Sequence, residues 1–512
     1  MNTISLAIVL PVILSSIVFG PSCKAGNDAD GFLSVFSEKR SYYDITEDMD
    51  LGGKSLSLPD GATLDFRGGC IRNGKLECRD NTFSGRSGLA SDVSLSGSVT
   101  GPMDIGVFEL RRGDRSFDIG RIINAATSVC KSIVIPDGRY YLQTPVKIEN
   151  IRCYQQFGDL IYNGKAKDVT VFQFYGGNAA TINMYGKLAY DTDTKIIDYT
   201  TKNRTNVIGV EFVNLNNSNI LVSDVGYFNN NIRVSAYGAG NCYNKYTFSI
   251  SAFSNEHLRI FQKDLPAKKR GWCNENIFIG GRFCNWSHFD WNQCESVAIK
   301  IEGSGVGDTY DSTNSLLFLK PCLEGFREYG VYARNVTGCR WQDARTEDCG
   351  KFIKFVGDCR YNEANSMFGP ETIDFEECST FPVKMDGLFP VFTTSSASSG
   401  LVLEADTKMA KCFRINFGTP DAKARVEVQY LTGINGRTLA RTAQKAMIRP
   451  RSTVHPNAYY YNEGSARWTL ATDAPLSEFV IPSGVGKVRF VLTGQFSGAT
   501  IYSDRATQII EK

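Results

Sequence analysis

The sequence predicts an all-β protein. A parallel β-helix fills residues 40–392, a linker follows at 393–400, and a small β-sandwich closes the chain at 401–512. Three observations lead there. The chain holds 48 Gly, 16 Pro and 12% aromatic residues in 512 positions, a composition of strands and turns. From about residue 205, units of strand, turn and strand recur. In the last hundred residues the pattern changes to longer alternating runs such as RVEVQYL and KVRFVLTG, which suit antiparallel strands with one covered face.

Residues 1–25 read as an export signal. Leu6 to Phe19 is apolar apart from Pro11, Ser15 and Ser16, too short and too interrupted for a membrane span. The following FGPSC has the look of a lipoprotein cleavage site, with Cys23 as the lipidated residue. The expected location is therefore outside the cytosol, at the cell surface, outer membrane or periplasm of a Gram-negative bacterium, with any membrane contact made through that lipid. Fourteen other cysteines remain. Cys242, Cys273, Cys339, Cys349, Cys359 and Cys378 fall near turns, where small apolar residues stack in a coil without needing disulfides.

Residues 42–110 are short runs broken by glycine, as in KSLSLPDGATLDFRGGCIRNGKLEC, which is strand grammar. Phe117 to Cys130 has apolar residues at helical spacing. SIVIPDGRYYLQTPVKI then returns to strands. The recurring units start at Asn219, Asn244, Asn276, Asn314 and Cys339, at spacings of 25, 32, 38 and 25 residues. A period near 25 built from short strands marks a solenoid. Asn suits its corners, because it tolerates left-handed backbone and bonds its neighbour in the stack. The extra length lies in 262–272, 284–295 and 303–314. A solenoid accepts such insertions as loops, and such loops commonly build its binding site.

PDGRYYLQTPVKI resembles the entry coil of the pectate-lyase superfamily of right-handed parallel β-helix proteins. DLGGKSLSLPDGATLDFRGGCIRNGKL and GWCNENIFIGGRF resemble β-helix proteins of glycan-degrading bacteria and phage tail spikes. The resemblance implies a right-handed coil and a polysaccharide partner. It does not by itself choose a reaction, since the fold hosts lyases, hydrolases, epimerases and adhesins. The paired aspartates and Gly-His-Gly of the pectin hydrolases are not present, nor is a calcium-binding acidic cluster of the pectate-lyase kind. Calcium is the one cofactor the resemblance would admit.

The lyases of this superfamily remove the proton α to a uronate carboxylate. That requires cations or donors to neutralise the carboxylate and a base within reach of the proton. Arg282, His288, Tyr310, Lys320, Glu324, Arg345 and Glu347 are the candidates for catalysis. Lys320, Glu324, Arg345 and Glu347 occupy similar positions in successive coils, so a charged stripe is expected along one face. That stripe is either a groove for an anionic chain or an ion-pair ladder. Trp272, Asn274, Glu275, Trp286, Trp291, Lys269 and Arg270 are the candidates for substrate binding. Asn276 is expected at a corner. With Lys263 and Lys268 the basic insertion would suit sulfate or carboxylate groups. The expected activity is β-elimination on a uronate polysaccharide, with glycosaminoglycans such as chondroitin sulfate or hyaluronan favoured over pectin.

A hydrolase would instead use two carboxylates drawn from Asp290, Asp308, Asp311, Glu324 and Glu347. A non-catalytic glycan-binding protein is the third reading. The net charge of +2 provides no general attraction for nucleic acid. The C-terminal sandwich is expected to bind glycan, pack on the helix or support an oligomer.

Overall fold

The computed structural model describes residues 36, 41–262, 271–285, 294–303, 313–357 and 359, and between 362 and 512 the strands and residues 486, 507, 508 and 512. The protein is a right-handed parallel β-helix followed by a β-sandwich. Two long parallel sheets run the length of the solenoid, one of fourteen strands and one of nine. We call them the first and second sheets. A third side is made of a two-stranded ladder, Asn241–Cys242 on Cys273–Asn274, and of single bridges such as Asn274 to Asn314.

Each coil alternates buried and open residues along its strands, and the buried column is aromatic. Tyr246, Phe278, Phe318 and Trp341 are in register in the first sheet. Their rings stack at 5.0, 4.8 and 5.3 Å between centroids. Planar rings at this spacing nearly fill the rung repeat of roughly 4.8 Å, so the core leaves little slack for register to slip. The second sheet adds Phe172, Val210, Ile232, Leu258, Ile299 and Val331 as one inward column.

The corners are set by a buried amide ladder. Asn244 Oδ1 accepts from Ser218 N at 2.9 Å, and Asn276 Oδ1 accepts from Asn244 N at 2.9 Å. Asn276 therefore sits at a corner. The row is offset from the simple reading of the repeat: Ser218 rather than Asn219 occupies it, and Asn314 belongs to the third side.

Before the solenoid, Tyr42–Ile45, Thr63–Phe66, Gly74–Gly85, Ser55–Ser57 and Val93–Val99 form a five-stranded parallel stack. The expected helix runs over Ile119–Val129, with Asp118 as N-cap accepting from Gly120 N. Its capping carboxylate satisfies one of the orphan amides of the first turn. The antiparallel region begins at Phe389–Thr394, which pairs with Ala499–Ser503. Of the stretch read as a linker, 393–394 belong to that strand and 398–400 open the next, Ser398–Asp406. A four-stranded and a seven-stranded sheet result. Phe413 of one meets Phe490 of the other edge-on at 5.3 Å.

Candidate functional site

Parallel register lines side chains up along the solenoid axis. On the outer face of the first sheet one such column reads Arg139, Asp159, Lys187, Asp224, Ile250, Arg282, Cys322 and Arg345. A second outer column, two residues on, reads Ile161, Ala189, Gly226, Ala252, Cys284, Glu324 and Glu347. The charged stripe expected from the sequence is therefore real, and Arg282, Glu324, Arg345 and Glu347 all lie on it. Past the uncharged Ile250 it also extends over four more rungs toward the N-terminus, to Asp224, Lys187, Asp159 and Arg139, which the sequence did not single out.

The two halves of the stripe differ. In the C-terminal half, Arg282 donates from Nε and Nη2 to Glu324 at 3.0 and 2.8 Å, and this bond holds the guanidinium even more firmly charged. Arg345 Nη2 donates to Glu347 at 2.5 Å. Bidentate pairing of this kind uses the donor fork of Arg on a protein carboxylate. Lys320, expected on the stripe, is not in register with it: it lies at an exposed break with φ of 52°, between the rung that pairs Leu319 with Gln342 and the one that pairs Cys322 with Arg345.

In the N-terminal half the charges are looser. Asp159 Oδ1 accepts the backbone N–H of Lys187 at 2.9 Å, while Lys187 Nζ is 3.7 Å from Asp224. Partial burial pushes the Asp224 carboxyl up; Lys187 opposes that, and the charge of Asp159 adds to it. One carboxyl is thus biased toward its protonated form next to a second carboxylate and an ammonium. This is the environment that splits two carboxyls into acid and base roles.

Aromatic rings flank the trio on both sides. Phe157 and Tyr185 stack at 5.3 Å and are 46% and 47% exposed. They precede Gly158 and Gly186 at a bulge so close-packed that a Cβ at Gly186 would lie 2.1 Å from the Gly158 carbonyl oxygen. Glycine is required there, and it presses the two preceding rings together. On the other side Tyr227 and Phe253 stack at 5.0 Å, and Lys187 Nζ lies 5.4 Å from the Tyr227 ring centre. Between the ring pairs the second column carries only small residues, Ala189, Gly226 and Ala252, and Tyr227 packs over the buried Ala189. Exposed stacked rings with polar groups between them suit the apolar faces and hydroxyls of sugars.

The remaining expected residues fall elsewhere. Trp272 is exposed, and Asn274 and Glu275 lie on the third side, Glu275 with φ of 55° and within reach of Tyr243. Lys269, Arg270, Trp286, His288, Trp291 and Tyr310 lie outside the described residues, as do Cys23, Lys263, Lys268, Asp290, Asp308 and Asp311. His257 is fully buried between Ser251 Oγ and Asn285 Oδ1, and burial lowers it to about 4. It is a core residue. Cys242, Cys273, Cys339 and Cys359 are buried free thiols, Cys349 is a partly buried one, and Cys378 is outside the described residues. No three potential metal ligands gather among the described residues.

The trio was missed because its members are 28 and 37 residues apart in the chain. The available signal was a charged residue after each glycine or serine at mid-strand, in FGDL, YGKL and VSDV.

No family model matches the chain, and no curated protein does. Solved structures similar to this chain include WceF of Pantoea stewartii, a glycan biofilm modifying enzyme with a tailspike-like parallel β-helix fold. It is 10% identical over 80% of this chain and 60% of its own, at a TM-score of 0.26. This chain therefore spans about three-fifths of the length of WceF. A tailspike mutant of Escherichia coli bacteriophage HK620 is 11% identical over 94% and 90% of the two chains, at 0.34. Tailspike protein 4 of bacteriophage CBA120 is 10% identical over 80% and 68%, at 0.24. No residue role is taken from them.

Proposed function

We propose that this protein is a polysaccharide-cleaving enzyme, and that it cuts by hydrolysis in the N-terminal half of the first-sheet stripe. The observation that carries the reading is Asp224, with its carboxyl pushed up, in one column with Lys187 and Asp159 and between two pairs of stacked rings. In this reading Asp224 is the acid that protonates the glycosidic oxygen. Asp159 is the base that activates water. Lys187 holds Asp159 through its backbone N–H and balances the charge of the pair.

The two aspartates are two rungs apart, roughly 9–10 Å along the axis. That spacing falls near the roughly 6.5–9.5 Å of inverting hydrolases, where a water fits between the carboxyls. The product should therefore appear with inverted anomeric configuration, as read by NMR during the first minutes of reaction.

β-Elimination on a uronate polymer, such as chondroitin sulfate or hyaluronan, is the second reading. It is favoured by the position of Lys187 over the Tyr227 ring with Arg139 at the head of the stripe. Lysine and arginine would neutralise a uronate, and the tyrosine hydroxyl would move the proton. Arg282 and Arg345 suit that role less, because each already holds a carboxylate. Export to the cell surface, with Cys23 as a lipid anchor, would place the enzyme with such polymers.

One assay separates these readings. Purified protein is mixed with chondroitin sulfates, hyaluronan, heparin, pectins, alginate and neutral glycans, and absorbance at roughly 232 nm and reducing ends are followed together. New reducing ends without absorbance support hydrolysis. Both rising together establish a lyase. Binding with neither signal would sink both and leave a glycan-binding protein.

A further inference from the structure

A second groove lies on another face, where the turns between the sheets meet the second sheet. It consists of two adjoining cavities of about 540 and 510 Å³ that share Cys294. Its lining comes from several coils in succession: 195–205, Asn255 and Glu256, 294–300, 327–332 and Lys354. A cavity built by coils stacked at roughly 4.8 Å per rung runs along the axis. Its shape fits a chain rather than a compact molecule.

The groove is firmly built. Asn229 and Asn255 are fully buried and form a ladder at 3.2 Å. Asn229 Nδ2 donates to Asp198 O at 2.8 Å, and Asn255 Nδ2 donates to Tyr199 O and Glu295 O, each at 2.9 Å. One amide ladder in the core therefore fixes both walls.

Its charge leans positive. Lys167, Lys195, Arg204, Lys300, Arg327 and Lys354 line it, against Asp198, Glu256, Glu295 and Glu328. Glu256 is a buried floor, 5% exposed, between Arg204 at 3.5 Å, Arg259 at 3.5 Å and Lys300 at 3.3 Å. Asp198 is occupied by the backbone N–H and hydroxyl of Thr200. The outer column of the second sheet continues this, with Arg233, Arg259, Lys300, Tyr332 and Lys354 in register on successive rungs. Like charges stacked one rung apart repel unless anions lie among them. Glu256 and Glu302 supply them at the level of Lys300 and Arg259, and Glu376 pairs with Lys354 at 2.5 Å. The exposed Lys167 and Lys195 at the other end of the groove are where a polymer with a negative group on each repeat would bind. Tyr329 and Tyr332, partnered by Lys354 and Lys300 at 5.1 and 5.9 Å, add ring surface beside the cations.

We infer that this groove is a second, non-catalytic binding site for an acidic polysaccharide, carrying carboxylate or sulfate groups, which holds a chain on the solenoid independently of the first-sheet stripe. The inference does not rest on the cleavage reading. It is tested by affinity electrophoresis of the full chain carrying Asp224→Asn. Polygalacturonate and chondroitin sulfate are placed in separate gels, with dextran as the neutral polymer.

At least one acidic polymer should retard the protein, less so as salt is raised, and dextran should not. Lys167→Glu with Lys195→Glu, both on exposed positions, should weaken retardation about ten-fold. Lys354→Gln should weaken it by less. Tyr185→Ala, beside the proposed cleavage site, should weaken retardation by less than the lysine pair does. Melting curves verify that each variant is folded. Retardation by neither acidic polymer, equal retardation by dextran, or loss with Tyr185→Ala instead of the lysine variants would each overturn the inference. Failure of the cleavage assay alone leaves this outcome standing, since it reads binding by an inactive variant.

Discussion

The two halves of the first-sheet stripe share their columns and their backbone, yet they are built for different ends. Around Arg282 and Arg345 each cation is matched by a carboxylate one rung away or two residues on, in short bonds. Around Asp159, Lys187 and Asp224 the ion pair is long, one carboxyl is raised, and stacked rings stand on both sides, one pair exposed and the other half-buried. A ladder satisfied by itself has little to give a ligand. A loosely paired set with one carboxyl pushed up by burial is an arrangement that a substrate can complete. Position on a charged stripe therefore says less about function than how fully each charge is already paired.

The comparison breaks most sharply at Asp224. Asp224→Asn should cut turnover by roughly 10²–10⁴-fold, the usual weight of a positioned acid, in the reducing-end assay. Its raised carboxyl also fixes a sign. The fold takes up that proton more readily than the unfolded chain does, so the stability Asp224 contributes is present in acid and lost as pH rises through its folded value. Asp224→Asn should therefore melt higher than the parent at neutral pH, and the difference should shrink toward acid. A parent that melts higher at neutral pH would contradict the assignment.

Arg282→Ala should do the reverse. Activity should stay within a few-fold, while stability falls by roughly 2–3 kcal/mol in a denaturant titration. Glu324 is nearly buried and would lose its partner, though the half-exposed arginine keeps the loss below the 3–5 kcal/mol of a fully buried pair. A large loss of activity with normal stability would place Arg282 in the site and revive the anionic-groove reading of that half.

Tyr185→Ala tests the rings. Removing one exposed face of the stacked pair should weaken substrate affinity by roughly 1 kcal/mol, several-fold in KM, with kcat little changed. The smallest effect is expected from Arg345→Ala. Its pair with Glu347 is open to solvent, 59% and 52% exposed, and such pairs contribute about 0–1 kcal/mol.

Much of the fold was legible. The helix was expected from Phe117 to Cys130 and runs over Ile119–Val129, because its apolar spacing and the capping Asp118 are local signals. The repeating strands were legible because alternation is local too. Asn276 could be read as a corner because its chemistry suits a corner wherever it stands. The stripe was legible only where coils have equal length: Glu324 and Glu347 could be aligned by eye, whereas Asp159, Lys187 and Asp224 could not. The intervening turns, including 191–205, vary in length, so counting residues loses the column.

The sequence by itself determined the class of fold, the helix, the order of coils and the existence of a charged face, since each depends on neighbours a few residues apart. Only the tertiary structure decided which charges share a rung, which of them already hold a partner, and how burial moves the Asp224 carboxyl. The reason is physical. Backbone periodicity is set by local sterics, but side-chain electrostatics is set by whatever the coils above and below bring within a few ångströms, and that depends on register across insertions whose lengths follow no period.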